Sequence, residues 1–428
     1  MEVQGKSSIQ GEIKVPGDKS ISHRSAIISS TIRGTVVIEN FLFSEDCIRT
    51  IEILKKLGIK IEKLNSNLVV KGEGIENFKE PVEVLDVGNS GTTIRIISGV
   101  LSATKFMTVL SGDSSVNSRP MDRIIKPLNE MGANIYGRDN NTKAPLVIFG
   151  SSGLKGKEFL INISSAQVKS SIILAALHAK GETEIIQPNV SRDHTERMLE
   201  YFGANISYNG KYTKIIPGNK LRAKNVYIPG DISSAAYFIV AALILKGSHL
   251  IIKDVGINPT RCYFLEILKK MGGRITIKNI RKSGNEPFAD IEVSYSNLNS
   301  IIIEKEKIPV IIDEIPIICA AAAKSDGKTI INGAGELRYK ESDRISSIVS
   351  QFKKLGIKVK EKEDNLIIEG DKNLRVGEGS VDSFGDHRIA MSLAILSLLS
   401  KGKVKILRSD CINTSFPDFK YILKKLLI

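Results

Sequence analysis

The sequence predicts an α/β fold of two similar domains, each made of three copies of one strand, helix, strand, helix, hairpin unit. Three observations predict it. A short phrase recurs five times, six helical segments are apolar on nearly every side, and the length of 428 residues exceeds one ordinary core when a domain holds roughly 150.

The phrase is KLGIKI ending at Ile61, EMGANI at Ile135, YFGANI at Ile206, KMGGRI at Ile275 and KLGIKV at Val359. Its first glycines, Gly58, Gly132, Gly203, Gly272 and Gly356, are 74, 71, 69 and 84 residues apart. Units of about 71 residues would fill the chain six times. Each phrase closes a segment with helical apolar spacing, such as Ile48, Ile51, Ile53, Leu54 and Leu57, and leads into a β-type run. Glycine at that junction supplies the left-handed conformation that ends a helix cheaply.

The second recurring element is a small, polar start followed by an apolar helix. In chain order these are GDKSISHRSAIIS, GNSGTTIRIISGVL, SSAQVKSSIILAAL, GDISSAAYFIVAAL, DEIPIICAAAA and FGDHRIAMSLAIL. Helices apolar all round belong in a core. Their polar starts carry unpaired backbone N–H groups and the positive dipole end, where anions bind well, so function is expected there. The alternative for each Ser, Asp or Asn is a plain N-cap. A composition break at Asn219 to Pro229 divides the six units three and three.

Composition narrows the function classes. Hydrophobic residues make up 42% and charged residues 25%, a soluble globular mix. No run approaches the roughly 18 apolar residues a membrane span needs, and the opening MEVQGKSSIQ lacks a signal-peptide pattern, so a cytoplasmic protein without membrane contact is expected. The four cysteines form no CxxC, which argues against a zinc site or a disulfide framework. A net charge of +14 points to anionic partners. With no Trp and 6% aromatics, a stacking platform for nucleic acid has little to build from. The lysines lie mostly on amphipathic helices and near strands, as a solvated surface would place them.

Several clusters suit anion chemistry. Lys19, Ser20 and Arg24 combine a point charge, a hydroxyl and a bidentate guanidinium at the first helix start. Gly88-Asn89-Ser90-Gly91 lets backbone approach a ligand closely. Neither stretch is GxGxxG, and Gly327-Lys328-Thr329 is not a P-loop because Ala322 stands where its first glycine must be. Arg119, Ser165 with Gln167, and Ser191 with Arg192 extend the theme. Asp313-Glu314 interrupts an apolar run, costly for a carboxylate unless it is paired or catalytic, and such a site tends to raise a carboxyl pKa. Lys340 and Arg344, four apart around Glu341, would share a face of a first helical turn. Arg388 follows His387 at the last apolar helix. HExxH, GxSxG and catalytic-cysteine patterns are absent, which leaves proton transfer and charge stabilisation. The expectation is two small anionic substrates held between two domains, with Asp313 and Glu341 as the acid and base.

Taken together, PGDKSISHR, GNSGTTIR, SRPM, SSAQVKS, SRDHTER, GDISSAAYF, YKESDR, FGDHRIAM and TSFPDF, in order from residue 16 to 419, resemble the 5-enolpyruvylshikimate-3-phosphate synthase family. The resemblance implies six βαβαββ units in two inside-out α/β domains. It also implies that the amino-terminal strand crosses over, giving one discontinuous domain of residues 1–14 plus 230–428, an inserted domain of residues 15–229, and an active site in the cleft between them. The implied reaction transfers the enolpyruvyl group of phosphoenolpyruvate to the 5-hydroxyl of shikimate 3-phosphate and releases phosphate, with no cofactor and no metal. The expected form is a monomer.

By the same resemblance Ser20 and Arg24 hold the shikimate carboxylate, while Ser165, Gln167, Ser191 and Lys340 surround its phosphate and ring. Lys19, Gly91, Arg119, Arg344 and Arg388 bind phosphoenolpyruvate, with Gln167 shared. Asp313 takes the proton from the 5-hydroxyl, Glu341 works on the methylene carbon, and Lys19 is a second proton carrier. Three positions depart from the family pattern: Asp410 where a lysine is common, His194 where many members have a tyrosine, and Glu336 in place of an asparagine. The UDP-N-acetylglucosamine enolpyruvyl transferases usually carry a cysteine in the loop that here reads Gly112-Asp113-Ser114-Ser115-Val116-Asn117-Ser118.

Overall fold

The computed structural model describes residues 1–6 and 8–427. The chain divides into two compact units: Met1–Pro16 with Gly230–Arg281 and Pro287–Ile428, and Gly17–Pro229 with Lys282–Glu286. They are called here the carboxyl-terminal unit and the Gly17–Pro229 unit.

Three four-stranded sheets of one design build the Gly17–Pro229 unit. In the first, Val226–Tyr227 runs parallel to Gly34–Glu39, which pairs antiparallel with Asn67–Gly72, and Lys60–Leu64 forms the far edge. The same order recurs in Leu85–Asp86, Met107–Ser111, Lys143–Phe149, Asn134–Gly137, and again in Glu158–Leu160, Thr183–Ile186, Tyr212–Ile216, Asn205–Tyr208. The carboxyl-terminal unit repeats it twice. Gln10–Lys14 supplies the parallel strand beside His249–Gly256, and Ile302–Ile303 does so beside Gly327–Ile331. Its third sheet has three strands, Gly379–Asp382 parallel to Lys403–Leu407 and Glu2–Gln4 antiparallel on the other side. Glu2–Gln4 takes the place of the hairpin in this sixth unit, so the glycine phrase that leads into a hairpin occurs five times.

Those five glycines do one job. Gly58, Gly132, Gly203, Gly272 and Gly356 have φ between 82° and 95°. The residue after each donates its N–H back to a carbonyl five positions earlier, as Ile59 does to Leu54 and Ala204 to Leu199. This is the Schellman closure of a helix, and it turns the chain straight into the next strand.

Six helices form the cores: Lys19–Ser30, Gly91–Leu101, Ala166–Ala176, Ile232–Ile244, Ile315–Ala323 and His387–Ser397. Nearly every residue along each is buried. A fully buried Leu, Ile or Phe side chain contributes about 1.5–3 kcal/mol. In the Gly17–Pro229 unit the second helix packs on both others, and at Gly99 a Cβ would stand 2.1 Å from the Ser171 carbonyl oxygen, so two backbones meet there without side chains between them. In the carboxyl-terminal unit Phe416 packs edge to face on Phe238, and Phe419 on Tyr237, both pairs 5.9 Å apart between ring centroids. TSFPDF therefore serves as packing for the fourth helix. No helix among the described residues is long and apolar enough to cross a membrane.

Candidate active site

The polar helix starts resolve first into caps. Asp18 accepts from Ile21 N–H, Ser90 from Thr93, Ser165 from Val168, Asp231 from Ser233, and Asp386 from Arg388 and Ile389. The fifth helix begins Ile315-Pro316, where proline's missing N–H costs nothing, and has no side-chain cap. The N-cap alternative thus holds for five of six starts, and a capping serine such as Ser165, which accepts from Val168 N–H, still has its own hydroxyl proton to offer a ligand.

In the Gly17–Pro229 unit, Lys19 Nζ lies 2.7 Å from Asp46 Oδ2. Arg24, 2% exposed, donates from Nε to Thr195 Oγ1 (2.7 Å), from Nη2 to Ser170 Oγ (2.9 Å) and from Nη1 to the Ser20 carbonyl (3.0 Å). Gln167 accepts from Arg95 Nη1 at 2.6 Å and donates to Thr92 Oγ1 at 3.0 Å. Arg119 donates to Asn89 Oδ1 and Ser115 Oγ and lies across the start of the second helix, where a Cβ at Gly91 would meet its Nη1 at 2.7 Å. Ser191 donates to Gln187 Oε1 at 2.9 Å and is buried. Lys19, Ser20, Arg24, Gly91, Arg119 and Gln167 thus cluster at or beside three helix starts.

A buried chain of hydrogen bonds ties two of those starts together. His23 Nδ1 meets Thr50 Oγ1 at 2.7 Å, Thr50 meets Thr93 Oγ1 at 2.8 Å, and Thr93 donates to Ser90 Oγ at 2.7 Å. Because Thr93 commits its proton to Ser90, Thr50 must donate to Thr93, and His23 must donate from Nδ1. Burial, with help from Lys19 and Arg24, holds the His23 pKa well below the usual histidine range, so the ring is neutral and its proton sits on Nδ1.

The carboxyl-terminal unit gathers a denser cluster. Arg344, 1% exposed, donates from Nε to Asp386 (2.8 Å), from Nη1 to Asp313 (3.2 Å) and from Nη2 to Glu341 (2.6 Å). Arg388 reaches the same Asp313 carboxylate with Nε at 3.4 Å and donates from Nη1 to the Asp313 carbonyl at 3.2 Å. Burial alone would lower the Arg344 pKa, but the carboxylates of Asp386, Glu341 and Asp313 outweigh it and raise the value. Arg388 is raised likewise against its burial, chiefly by Asp313. Asp313 meets the cost of its apolar flanks by pairing with two guanidiniums. Behind it Glu314 is fully buried, accepts from Ser233 Oγ, and lies 3.9 Å from Arg388 Nη1. Arg261 Nη2 donates to the same Ser233 hydroxyl at 2.6 Å.

One local expectation fails. Lys340 and Arg344 do not share a helical turn, because Asp343 caps the helix and Arg344 is its first residue, leaving Lys340 half-buried in the loop after the 3-10 turn Gly335–Tyr339. Local spacing also gives no sign that Arg261, Glu286 and Glu196 are buried. His194, one of the departures, is 2% exposed and its Nδ1 lies 2.7 Å from Glu286 Oε1. No local pattern signals a pair 92 residues apart.

A family model described as EPSP synthase (3-phosphoshikimate 1-carboxyvinyltransferase) matches residues 3–423. The chain belongs to this family. A 3-phosphoshikimate 1-carboxyvinyltransferase of Petrotoga mobilis is 48% identical, covering 100% of this chain and 99% of that protein, and one from a Thermoanaerobacter species is 49% identical over 98% of each. The solved EPSP synthase of Acinetobacter baumannii superposes with a TM-score of 0.88 at 41% identity, covering 99% of this chain and 97% of that one. The enolpyruvyl transferase NikO of Streptomyces tendae, 16% identical with a TM-score of 0.81, shares the fold. The two inside-out α/β domains of the family account for the six sheets among the described residues, and membership makes the chain an enolpyruvyl transferase of the shikimate route.

Proposed function

We propose that the chain joins phosphoenolpyruvate to the 5-hydroxyl of shikimate 3-phosphate by addition and elimination, with the side chains above in the family's roles. The observation that carries this is Arg344 holding Asp313, Glu341 and Asp386 at once, beside Arg388. A phosphate or carboxylate arriving at those arginines competes for the same N–H donors and frees Asp313 and Glu341 for proton transfer.

In this proposal Arg344, Arg388, Arg119, Lys19 and Gly91 bind phosphoenolpyruvate. Ser20 and Arg24 hold the shikimate carboxylate, Ser165, Gln167, Ser191 and Lys340 its phosphate and ring. Asp313 accepts the 5-hydroxyl proton as the oxygen attacks the enol carbon, and Glu341 delivers a proton to the methylene carbon, giving a tetrahedral intermediate. The carbon–oxygen bond to phosphate then breaks, Glu341 takes a proton back from the new methyl group, and the proton that Asp313 took up goes to the departing phosphate, directly or relayed through Lys19. Positioned acids and bases contribute about 10² to 10⁴ in rate, so the cationic groups and alignment must supply much of the rest. A cytoplasmic monomer using no metal or cofactor completes the proposal.

The test follows phosphate release from phosphoenolpyruvate by purified protein, with shikimate 3-phosphate or the UDP-sugar of the related transferases as acceptor. Turnover with shikimate 3-phosphate alone is expected. Turnover with neither would overturn the proposal.

A further inference from the structure

We infer that Ser170 and Thr195 are positioning residues that hold Arg24 ready for its anion through a pair of hydroxyls with a fixed proton order. The inference rests on the proposed assignment of Arg24 to the shikimate carboxylate.

The geometry is a closed triangle. Thr195 Oγ1 accepts from Arg24 Nε at 2.7 Å, Ser170 Oγ accepts from Nη2 at 2.9 Å, and the two hydroxyl oxygens are 2.7 Å apart. Ser170 also lies 2.6 Å from the Ala166 carbonyl, to which it must donate, since a carbonyl only accepts. Its single proton is then committed, and Thr195 must donate to Ser170. Both oxygens therefore turn lone pairs toward the guanidinium.

Two hydroxyls so arranged copy the bidentate acceptor geometry of a carboxylate without its charge. Arg344 shows the other solution, with carboxylates on Nε, Nη1 and Nη2. An arginine meant to bind an anion gains from an uncharged clamp, because the clamp fixes the plane of the fork and adds no negative charge to compete. At 2% exposure Arg24 has little room to turn, and Nη1 donating to the Ser20 carbonyl fixes the third direction.

The clamp joins two helices, Ala166–Ala176 and His194–Phe202. Beside it in both sequences stands a buried ion pair: Lys169 precedes Ser170, Glu196 follows Thr195, and their charged atoms are 2.6 Å apart with both side chains 1% exposed. That pair fastens the same two helices one residue away from each hydroxyl.

The experiment measures shikimate 3-phosphate binding by titration calorimetry and its KM and kcat, in Thr195→Val, Ser170→Ala, the double variant, Thr195→Ser and Arg24→Ala. Loss of one charge-assisted hydrogen bond should weaken binding by about tenfold. KM should rise while kcat holds, the signature of lost binding shared by ground and transition states. The double variant should approach Arg24→Ala, and Thr195→Ser should recover what Thr195→Val loses. A thermal midpoint lowered with no change in affinity would mean that the hydroxyls serve packing alone, and would overturn the inference. So would clamp variants that bind like the parent while Arg24→Ala binds poorly. Parent-like binding by Arg24→Ala itself would remove the carboxylate assignment and the clamp's purpose with it. If Thr195→Val does not fold, Ser170→Ala makes the same test with the loss of one oxygen.

Discussion

Lys169 and Glu196 form an ion pair of 2.6 Å in which each side chain is only 1% exposed. Thr213 Oγ1 adds a hydrogen bond to Glu196 Oε1 at 3.2 Å. Desolvating both charges makes such a pair a weak net stabiliser, yet breaking it strands a buried charge at a cost of about 3–5 kcal/mol. Lys169→Met should therefore lower unfolding free energy by about that amount, read from the denaturant midpoint at pH 7. Lys169→Met with Glu196→Leu should recover most of the loss. Equal losses in the single and double variants would show that packing, and not the stranded charge, dominates.

Gly91 and Arg119 give a sharper test of the phosphoenolpyruvate assignment. A methyl group at position 91 would sit 2.7 Å from Arg119 Nη1, so the guanidinium must move. Misplacing a binding group by about 1 Å can cost up to about 10² in rate. Gly91→Ala should lower kcat/KM for phosphoenolpyruvate by about 10- to 100-fold. Stability should hold or rise slightly, since alanine suits a helix better than glycine by about 1 kcal/mol. Unchanged kinetics would take Arg119 out of its assigned role.

What could be read in the sequence and what could not divide on physical grounds. The five Gly phrases were legible because a Schellman turn is made by neighbours in the chain, and the buried helices because burial on all sides leaves few polar residues. Asp313 stands out as a charge inside an apolar run, Glu341 and Arg344 by their spacing with Lys340, and Arg388 by its place at the start of the last apolar helix. That Arg344 gathers Asp313, Glu341 and Asp386 was not legible, because Asp386 lies 42 residues away and is brought in by a different helix. The serine and aspartate helix starts leave two readings open. A cap and an anion-binding hydroxyl use the same residue types, and only the accepted N–H at Thr93 or Ile21 tells them apart. Spacing alone puts Lys340 on one helical turn with Arg344, whereas Asp343 takes the capping position and the helix begins at Arg344.

His23 carries a pH dependence whose sign is fixed. Burial, with Lys19 and Arg24, depresses its folded pKa well below 6.5. Below about pH 6.5 the unfolded chain takes up a proton that the folded chain refuses, so stability falls as pH drops and is fully present above that value. One such group gives a slope of at most about 1.4 kcal/mol per pH unit. Urea unfolding between pH 8 and 5 should show this slope steepen below about 6.5, and His23→Gln should flatten it. An unchanged slope in His23→Gln would assign the effect to other groups, of which His178, also lowered by burial, is the first to try.

Glu341→Gln separates holding from proton transfer. Glu341 Oε2 accepts from Arg344 Nη2 at 2.6 Å, and a glutamine carbonyl can accept in its place, so the arginine keeps its orientation and both substrates should still bind. An amide cannot pass a proton to carbon. The kcat should fall by about 10² to 10⁴ with dissociation constants near those of the parent. Deuterated water provides a second readout that a misplaced arginine would not reproduce: the parent should place deuterium on the methylene carbon by adding one proton and removing another, and the variant should lose that exchange in step with turnover. Turnover and exchange both near the parent's would return the carbon protonation to Lys19 or Asp313. Lost turnover with exchange intact would place Glu341 in phosphate departure.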